Sequence, residues 1–325
     1  MKKLSQLAFA ISLLLNVNIA NAQDAHFSQF YANPVYLNPS LVGMSGQYRA
    51  AVAHRQQGSE AYGFTTSLVS FDGSMGTNSG WGVHMINDNQ MNGVLKSKTL
   101  AITLGHRIEI TKVSRIGFGV QVGGYQKSLD WSSLTFEDQL DQRNGIVTNT
   151  NERFGNDNVT QADVNLGLSY SSDIIFGGVK FSHINKPKEN FSLDSETIIP
   201  MKTTIHAGAM LPIVNFRKSE QYISPNIIYE RQASFEYLHL GFYYGNGLWT
   251  AGMWYRVNDA IVTSVGMNVS KFRVGYSYDY AISSYKNTSD NAHEISIAYQ
   301  FEIPNKFKVK NKYKGQCPKF QKNLF

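Results

Sequence analysis

The segment "KFRVGYSYDYAI", residues 271–282, alternates bulky side chains with polar or small ones. One face would carry Phe272, Val274, Tyr276, Tyr278, Tyr280 and Ile282. The other face would carry Arg273, Gly275, Ser277, Asp279 and Ala281. Successive side chains of a β-strand point to opposite sides, whereas the helical period of 3.6 does not give this pattern. The segment therefore predicts a strand with one apolar face and one polar face.

The same period of two recurs along the chain, as in residues 99–110, 115–123 and 249–257. Charged residues fall on the polar face of these runs: Arg107, Glu109, Arg256, Arg273 and Asp279. Counting such runs predicts 14 strands, near 47–54, 61–71, 80–88, 97–110, 115–129, 162–171, 174–182, 203–212, 222–231, 237–244, 248–257, 260–269, 271–282 and 292–303. An even number of strands would bring the N- and C-termini of the chain to the same side of a membrane.

Composition favours a membrane barrel over a soluble sheet. Charged residues make up 17% of the chain and aromatic residues 13%, against roughly 25% charged residues in ordinary soluble domains. Beyond the N-terminus no long apolar run could form a spanning helix, and the mean hydropathy of −0.27 suits a chain whose apolar residues alternate with polar ones. The alternative, a soluble secreted β-sandwich or barrel, would place more Lys and Glu on its outer face. The predicted fold class is all-β, a transmembrane antiparallel β-barrel.

The connections between the predicted strands are asymmetric. Starting from a periplasmic N-terminus, the inner connections would be 72–79, 111–114, 172–173, 213–221, 245–247 and 270, most of them tight. The two longest connections, 130–161 and 183–202, fall on the opposite side. Short inner turns and long outer loops are typical of outer-membrane barrels, so both termini are expected in the periplasm.

The N-terminal residues 1–22 have the three parts of a secretory signal peptide. Lys2 and Lys3 precede an apolar stretch, and Ala20-Asn21-Ala22 follows it. A membrane anchor is the alternative, but the apolar stretch is short for a spanning helix. We therefore expect a mature chain that begins near residue 23, with a segment 23–46 ahead of the barrel, 47–303.

The segment "QDAHFSQFYANPVYLNPSLVG", residues 23–43, shows neither strand nor helix periodicity. Each proline removes a backbone donor and disfavours helix at the preceding Asn, so the two Asn-Pro pairs predict two turns five residues apart. We expect a compact plug or docking piece, either in the lumen or at the periplasmic end. Its candidate partner-binding residues are Phe27, Asn33, Pro34, Asn38 and Pro39.

The tail, residues 304–325, contains seven lysines and no acidic residue. Without Lys2 and Lys3 the formal charge of +6 becomes +4, so these seven lysines leave the rest of the mature chain near −3. In "KFKVKNKY" the lysines alternate with other residues, which suggests an edge strand that adds to a partner's sheet. A basic tail resting on acidic lipid headgroups is the alternative. The candidate contact residues are Lys306, Lys308, Lys310 and Lys312; nucleic acid is not an expected partner in the periplasm.

The sequence contains no recognisable catalytic constellation. The eight histidines include no pair at the spacing i, i+4, and the single cysteine, Cys317, excludes a thiolate cluster for zinc within the chain. Neither Gly-rich stretch carries the Gly-Lys-Ser/Thr of a phosphate loop. We therefore predict no catalytic residue, no cofactor and no metal ligand.

Several short motifs, in order, resemble the PorP/SprF family of type IX secretion and gliding-motility outer-membrane proteins. At the N-terminus they are Asp24, Phe27, Ser28, Gln29, Asn33-Pro34 and Leu37-Asn38-Pro39 before Gly43. Further along they are Leu134 to Gln139, Trp254-Tyr255-Arg256, Gly275 to Tyr280, Glu294-Ile295-Ser296 and Cys317 to Phe320. The chain departs from the family at Ser40, where members often have Ala, and after Arg55, where a Trp often follows.

The resemblance implies a non-enzymatic barrel that works beside the type IX translocon. Such proteins support the secretion or surface attachment of a large adhesin with a C-terminal sorting domain, and some contact the periplasmic ring. The resemblance carries over no catalytic residues. The alternatives are a FadL-like transporter of hydrophobic small molecules, which is also 14-stranded with an N-terminal plug, and a diffusion porin.

Overall fold

The computed structural model describes residues 24–58, 63–141, 145–146, 150, 155–191, 197–213, 221–282 and 291–302. The expected signal peptide, 1–22, and the basic tail, 304–325, lie outside the described residues. The predictions for Lys306, Lys308, Lys310, Lys312 and Cys317 therefore stay predictions.

Fourteen long strands follow one another in the described part of the chain. They are β1 (Tyr48–Gln57), β2 (Phe64–Met75), β3 (Ser79–Gln90), β4 (Leu95–Glu109), β5 (Arg115–Leu129), β6 (Asn158–Ser171), β7 (Ile175–Ser182), β8 (Lys202–Ala209), β9 (Tyr222–Gln232), β10 (Phe235–Gly245), β11 (Trp249–Arg256), β12 (Ala260–Val269), β13 (Phe272–Ala281) and β14 (Ala292–Phe301). Short strands occur at Leu140–Asp141, Gly145–Ile146 and Leu211–Pro212, and short helical turns at Phe30–Ala32, Pro34–Leu37, Pro39–Leu41, Met91–Gly93, Trp131–Ser133 and Glu137–Gln139.

The 14 strands form one closed antiparallel barrel. Each strand pairs with the next along the chain. The circle closes between β1 and β14, where Tyr48 lies opposite Phe301 and Gln57 opposite Ala292. The closed barrel leaves no long edge strand, so the backbone N–H and C=O groups of every wall strand have hydrogen-bond partners on both sides. The predicted fold class and strand number are confirmed.

The two largest differences from the predicted strand boundaries arise because backbone pairing continues beyond the alternating pattern. Strand β6 begins at Asn158 rather than residue 162, since Asn158 and Val159 still pair with Ser128 and Lys127 of β5. Strand β2 continues to Met75, which pairs with Ser79, so the predicted turn at 72–79 shrinks to 76–78. Hydrogen bonds between strand backbones do not require apolar side chains, so the strands extend beyond the stretch that shows the lipid-facing alternation.

The two faces of the wall have opposite character, as the alternation predicts. Leu100, Ile102 and Leu104 of β4 point outward, with 56–62% of their surface exposed. Thr103 and Gln121, on the inner faces of β4 and β5, are buried. An apolar outer belt around a polar interior suits a bilayer outside the barrel. Among the described residues no helix has the length and apolarity needed to cross a membrane.

The barrel has two different ends. At the short-turn end, where β1 begins and β14 ends, the connections include 76–78, 110–114, 172–174, 246–248 and 270–271. At the long-loop end lie the two longest connections, 130–157 and 183–201. The described parts of this end include Glu189 and Ile199, both buried. Glu189 pairs with Lys127 of β5, so the loop 183–201 folds partly over the barrel mouth.

Candidate functional site: the occupied lumen

Residues 24–46, hereafter the plug, lie inside the barrel and contact its wall on all sides. Its buried residues include Phe27, Phe30, Tyr31, Val35, Leu37, Leu41, Val42 and Met44. The plug's hydrogen-bond partners belong to strands as far apart around the barrel as β2, β6, β9 and β14. The predicted plug is therefore inside the lumen.

The two Asn-Pro pairs create the bends of the plug. An α-helical turn, Pro34–Leu37, and a 3-10 turn, Pro39–Leu41, each begin with the proline, as expected where the missing N–H has no helical partner. The Asn38 side chain accepts hydrogen bonds from Ser40 N (3.0 Å) and Ser40 Oγ (2.8 Å). Its amide nitrogen donates to Leu168 O (3.0 Å) and Val179 O (3.3 Å). Asn38 thus both caps the turn and attaches it to the wall.

Glycines on the inner wall make room for this second turn. A Cβ added to Gly119 of β5 would lie under 3.0 Å from backbone atoms of Pro39 and Ser40. A Cβ added to Gly167, opposite Gly119 on β6, would lie equally close to the Asn38 side chain. The glycines therefore allow the plug backbone to touch the wall, as glycine does at close approaches.

Phe27 and the aromatic residues of the plug pack against two apolar clusters. Phe27 contacts a cluster of Ala53, Leu68 and Ile86 on β1, β2 and β3. Phe30 and Tyr31 pack with Trp254 at ring-centroid distances of 5.1 and 6.5 Å. Full burial of one such ring contributes about 1.5–3 kcal/mol, so these contacts hold the plug in place.

A buried ionic cluster surrounds Ser28. Its backbone nitrogen donates to Glu294 Oε2 (2.6 Å), and its hydroxyl donates to Asp279 Oδ2 (2.6 Å). Arg55 lies 2.9 Å from Asp279 Oδ2 and 3.7 Å from Glu294 Oε2. Arg256 lies 3.2 Å from the same Asp279 oxygen. Two cations thus face two carboxylates from β1, β11, β13 and β14, and a plug residue completes the cluster.

At the short-turn end, Asp72 holds the plug where it leads into β1. Its carboxylate accepts a hydrogen bond from the backbone nitrogen of Gly43 (3.0 Å) and one from Arg49 Nε (2.9 Å). Gly43 has φ +64°, and a Cβ there would meet the backbone of Gly73 and Gly80. Only glycine fits this position without strain.

At the long-loop end, Asp24 and His183 join the plug to the wall. His183 Nε2 lies 2.9 Å from Asp24 Oδ2, and His183 Nδ1 lies 2.7 Å from Asp163 Oδ1. Burial alone would lower the pKa of His183, but the Asp24 and Asp163 carboxylates raise it to about 10. Burial would raise the pKa of Asp24, but the charge of His183 holds it well below its usual range. The pair is therefore ionised at neutral pH.

A second group at this end consists of His26, Glu230 and Lys202. Lys202 Nζ lies 3.1 Å from Glu230 Oε1, and His26 Nδ1 lies 3.3 Å from Glu230 Oε2. Burial, together with the positive charge of Arg256, lowers the pKa of His26 to about 3. His26 is therefore a neutral imidazole beside an ionised carboxylate.

The structure brings together the N-terminal candidates of the sequence analysis. Phe27, Asn33, Pro34, Asn38 and Pro39 are all buried in the lumen. Their described contacts are with the barrel of the same chain, and whether they also bind a partner stays a prediction.

Sequence reasoning missed the inward ionic groups Arg55, Glu294, His183 and Glu230 as ligands of the plug. The signal that could have indicated these plug-binding residues is the charge on the polar face of the strands, as at Arg256 and Asp279. The alternation shows that they point inward, but the partner of each one depends on the closed barrel.

A closed 14-stranded barrel with an apolar outer belt and a lumen filled by its own N-terminal segment defines the class: a plugged outer-membrane β-barrel. The chain belongs to the PorP/SprF family, described as type IX secretion system membrane protein PorP/SprF, which matches residues 19–299. None of the curated proteins matches the chain in sequence.

Several solved outer-membrane barrels resemble this fold at low sequence identity. A Pseudomonas aeruginosa FadL homologue is 9% identical, with a TM-score of 0.48 over 83% of this chain and 94% of that one. The Acinetobacter baumannii outer membrane protein Omp33 is 8% identical, with a TM-score of 0.45 over 80% of this chain and 100% of that one. These likenesses concern barrel architecture and carry no conclusion about function.

Proposed function

We propose that this barrel is a non-enzymatic component of type IX secretion that supports the secretion or surface attachment of a large adhesin-like partner, of the gliding-motility type. The observation that carries the proposal is the occupied lumen in a member of the PorP/SprF family. Backbone nitrogens and a tyrosine hydroxyl of the plug donate buried hydrogen bonds to Asp72, Asn226 and Glu294 of the wall. A lumen filled in this way favours a role as a scaffold for another protein over a role as an open diffusion channel.

The chemistry of the remaining cavities supports this function over transport of hydrophobic molecules. Two cavities at the long-loop end of the lumen have volumes of about 90 and 200 Å³. Both are lined by Asp24, Lys202 and Glu230. A hydrophobic ligand would have to displace water from these charged groups without replacing their hydrogen bonds, which is unfavourable.

In this proposal both termini lie in the periplasm and the long-loop end faces the cell exterior. Short turns on the periplasmic side and long loops outside are the usual asymmetry of outer-membrane barrels. The loops 130–157 and 183–201 would then contact the adhesin through its C-terminal domain. The basic tail, 304–325, would contact translocon or periplasmic ring components, as an added edge strand or through its charge.

A deletion strain complemented with variants tests this proposal. We expect deletion of the gene to remove one large adhesin from the cell surface while other secreted proteins remain. Wild-type protein should restore the adhesin, and a form lacking the loop residues 142–154 should reach the outer membrane without restoring it. Normal surface display in the deletion strain, together with defective uptake of fatty acids, would favour the transporter instead.

Deletion of residues 306–325 tests the periplasmic contact. We expect an assembled barrel that co-purifies with less of the ring components. A full-length control with Gln at Lys306, Lys308, Lys310 and Lys312 separates strand addition from charge: a backbone-mediated contact survives, whereas a charge-mediated contact is lost. Unchanged co-purification of every partner after the deletion would contradict a role for the tail.

A further inference from the structure

Three side chains of the types that can bind metal ions come from distant parts of the chain and meet at the long-loop end of the lumen. They are His26 of the plug, Glu230 of β9 and His239 of β10, each with a potential ligand atom within 4.8 Å of the others. The His26 and His239 rings stack at a centroid distance of 5.3 Å. Glu230 and His239 are buried, and His26 is three-quarters buried at its side chain.

The Glu230 carboxylate divides its two oxygens between different partners. Oε1 accepts from Lys202 Nζ (3.1 Å) and Thr204 Oγ1 (3.2 Å). Oε2 faces His26 Nδ1 at 3.3 Å and His239 Nε2 at 3.7 Å, the latter too long for a hydrogen bond. His26 Nε2 and His239 Nε2 are buried without a hydrogen-bond partner among the described residues. Buried polar atoms are rarely left in this state, and of these two nitrogens His239 Nε2 is the one that faces Glu230.

The spacing of these atoms fits a metal ion. Bonds of about 2.0–2.2 Å to imidazole nitrogen and carboxylate oxygen give edges of about 3.3–3.6 Å in a tetrahedron. The two distances to Glu230 Oε2, 3.3 and 3.7 Å, are close to these edges. The rings are nearly parallel, at 14°, so one imidazole must turn for both lone pairs to meet. A cavity of about 200 Å³ that adjoins His26 provides room for this rotation and for a water as fourth ligand.

The surrounding charge tolerates a cation. The cavity is lined by the carboxyl groups of Asp24, Glu230 and Asp259 and by the cationic groups of Lys202 and Arg256; with His183, which pairs with Asp24, these charges balance, so a bound cation would not add to an excess of positive charge. Two imidazoles and one carboxylate are the ligand set of zinc sites with an open position, and imidazole also suits copper and nickel.

We propose that His26, Glu230 and His239 bind one divalent transition-metal ion of the zinc class, which fastens the plug to the barrel wall. Because His26 belongs to the plug and the other two ligands belong to β9 and β10, the ion bridges two parts of the fold. A ligand that binds only the docked arrangement stabilises it. The proposal is independent of the secretion partner.

Titration of the full mature chain in detergent with ZnCl2, after removal of metal with EDTA, tests the site. We expect one tight ion per chain by calorimetry, and Co2+ in its place should give the visible spectrum of a tetrahedral N/O site. His26→Gln and Glu230→Gln should each weaken zinc binding by at least about ten-fold. Loss of a group that only hydrogen-bonds to a metal ligand already lowers metal affinity by about that much, and loss of a ligand should cost more. His106→Gln is the matched control, since His106 is exposed on the outer wall and contacts Ser79.

Hydrogen exchange of residues 24–46 tests the bridging role. Zinc should slow this exchange in the wild type and in His106→Gln, and should have no effect in His26→Gln. Thermal unfolding of each variant in EDTA reports whether the fold is intact, and His26→Gln changes only a partly exposed plug residue. The absence of a tight site in the wild type, equal affinity in His26→Gln, or unchanged exchange of the plug with zinc bound would each overturn the proposal.

Discussion

Gly119 and Gly167 provide the sharpest test of how the plug is held. Both face the lumen, lie opposite each other on β5 and β6, and contact the turn Pro39–Leu41 or its cap, Asn38. Gly119→Ala would place a methyl group under 3.0 Å from the Pro39 backbone. We expect this methyl group to push the turn away from the wall.

The size of the effect follows from the contact distances. Carbon atoms in ordinary contact are about 3.5–4.0 Å apart, so the turn must retreat by more than about 0.5 Å. Such overpacking costs about 1–3 kcal/mol, because the opposing atoms are backbone and cannot rotate away. Since about 1.4 kcal/mol is a factor of ten, the ratio of docked to undocked plug should fall by about 5- to 150-fold. Gly167→Ala should act in the same direction, because its methyl group would meet the buried Asn38 side chain.

The two substitutions should be less than additive. Both act on one turn, and neighbouring sites that share a partner are coupled. Once one methyl group has displaced the turn, the second meets little further resistance. In a double-mutant cycle the cost of the double variant should therefore be smaller than the sum of the two single costs, which gives a negative interaction energy.

Gly124→Ala is the matched control on the same strand. Gly124 faces outward, and a Cβ there would meet no atom within 4 Å. We expect it to be neutral or stabilising by about 0.5–1 kcal/mol, because glycine inside a strand is unfavourable. Hydrogen exchange of residues 24–46 in the purified barrels is the assay. If Gly119→Ala and Gly167→Ala exchange no faster than Gly124→Ala, the close-approach argument is wrong.

Three further predictions concern the other attachments of the plug. Arg55→Met leaves the Asp279 carboxylate short of a buried cation and should cost about 3–5 kcal/mol in unfolding free energy; an unchanged denaturation midpoint would contradict the ionic cluster. Trp254→Ala removes a 1% exposed ring beneath the plug and should cost about 3–5 kcal/mol, with faster plug exchange. The raised pKa of His183, about 10, means that its pairing with Asp24 stabilises fully below the ordinary value near 6.5 and is lost as pH rises through about 10. Asp24→Asn should lower that pKa, measured by NMR of the imidazole, and a titration identical to wild type would refute the pairing.

The alternation of residues 271–282 illustrates what local patterning can predict. The side of a strand on which a residue lies depends only on the alternation along that strand, which is visible in the local sequence. The 14 strands and their outward faces could therefore be predicted. The Asn-Pro turns at Asn33 and Asn38 were predictable for the same reason, because proline restricts its own φ and the residue before it. Strand ends at Met75 and Asn158 were not predictable, since they depend on how far the partner strand continues.

The contents of the lumen required the tertiary structure. Local sequence patterns were enough to predict a barrel with apolar outer and polar inner faces, and a plug-like segment with two bends. Only the closed sheet decided that Ser28 meets Glu294, 266 positions away, and that His26 meets Glu230 and His239. Barrel closure brings strands from both ends of the chain around one axis. Contacts inside the lumen therefore depend on curvature and register, which no short sequence pattern encodes.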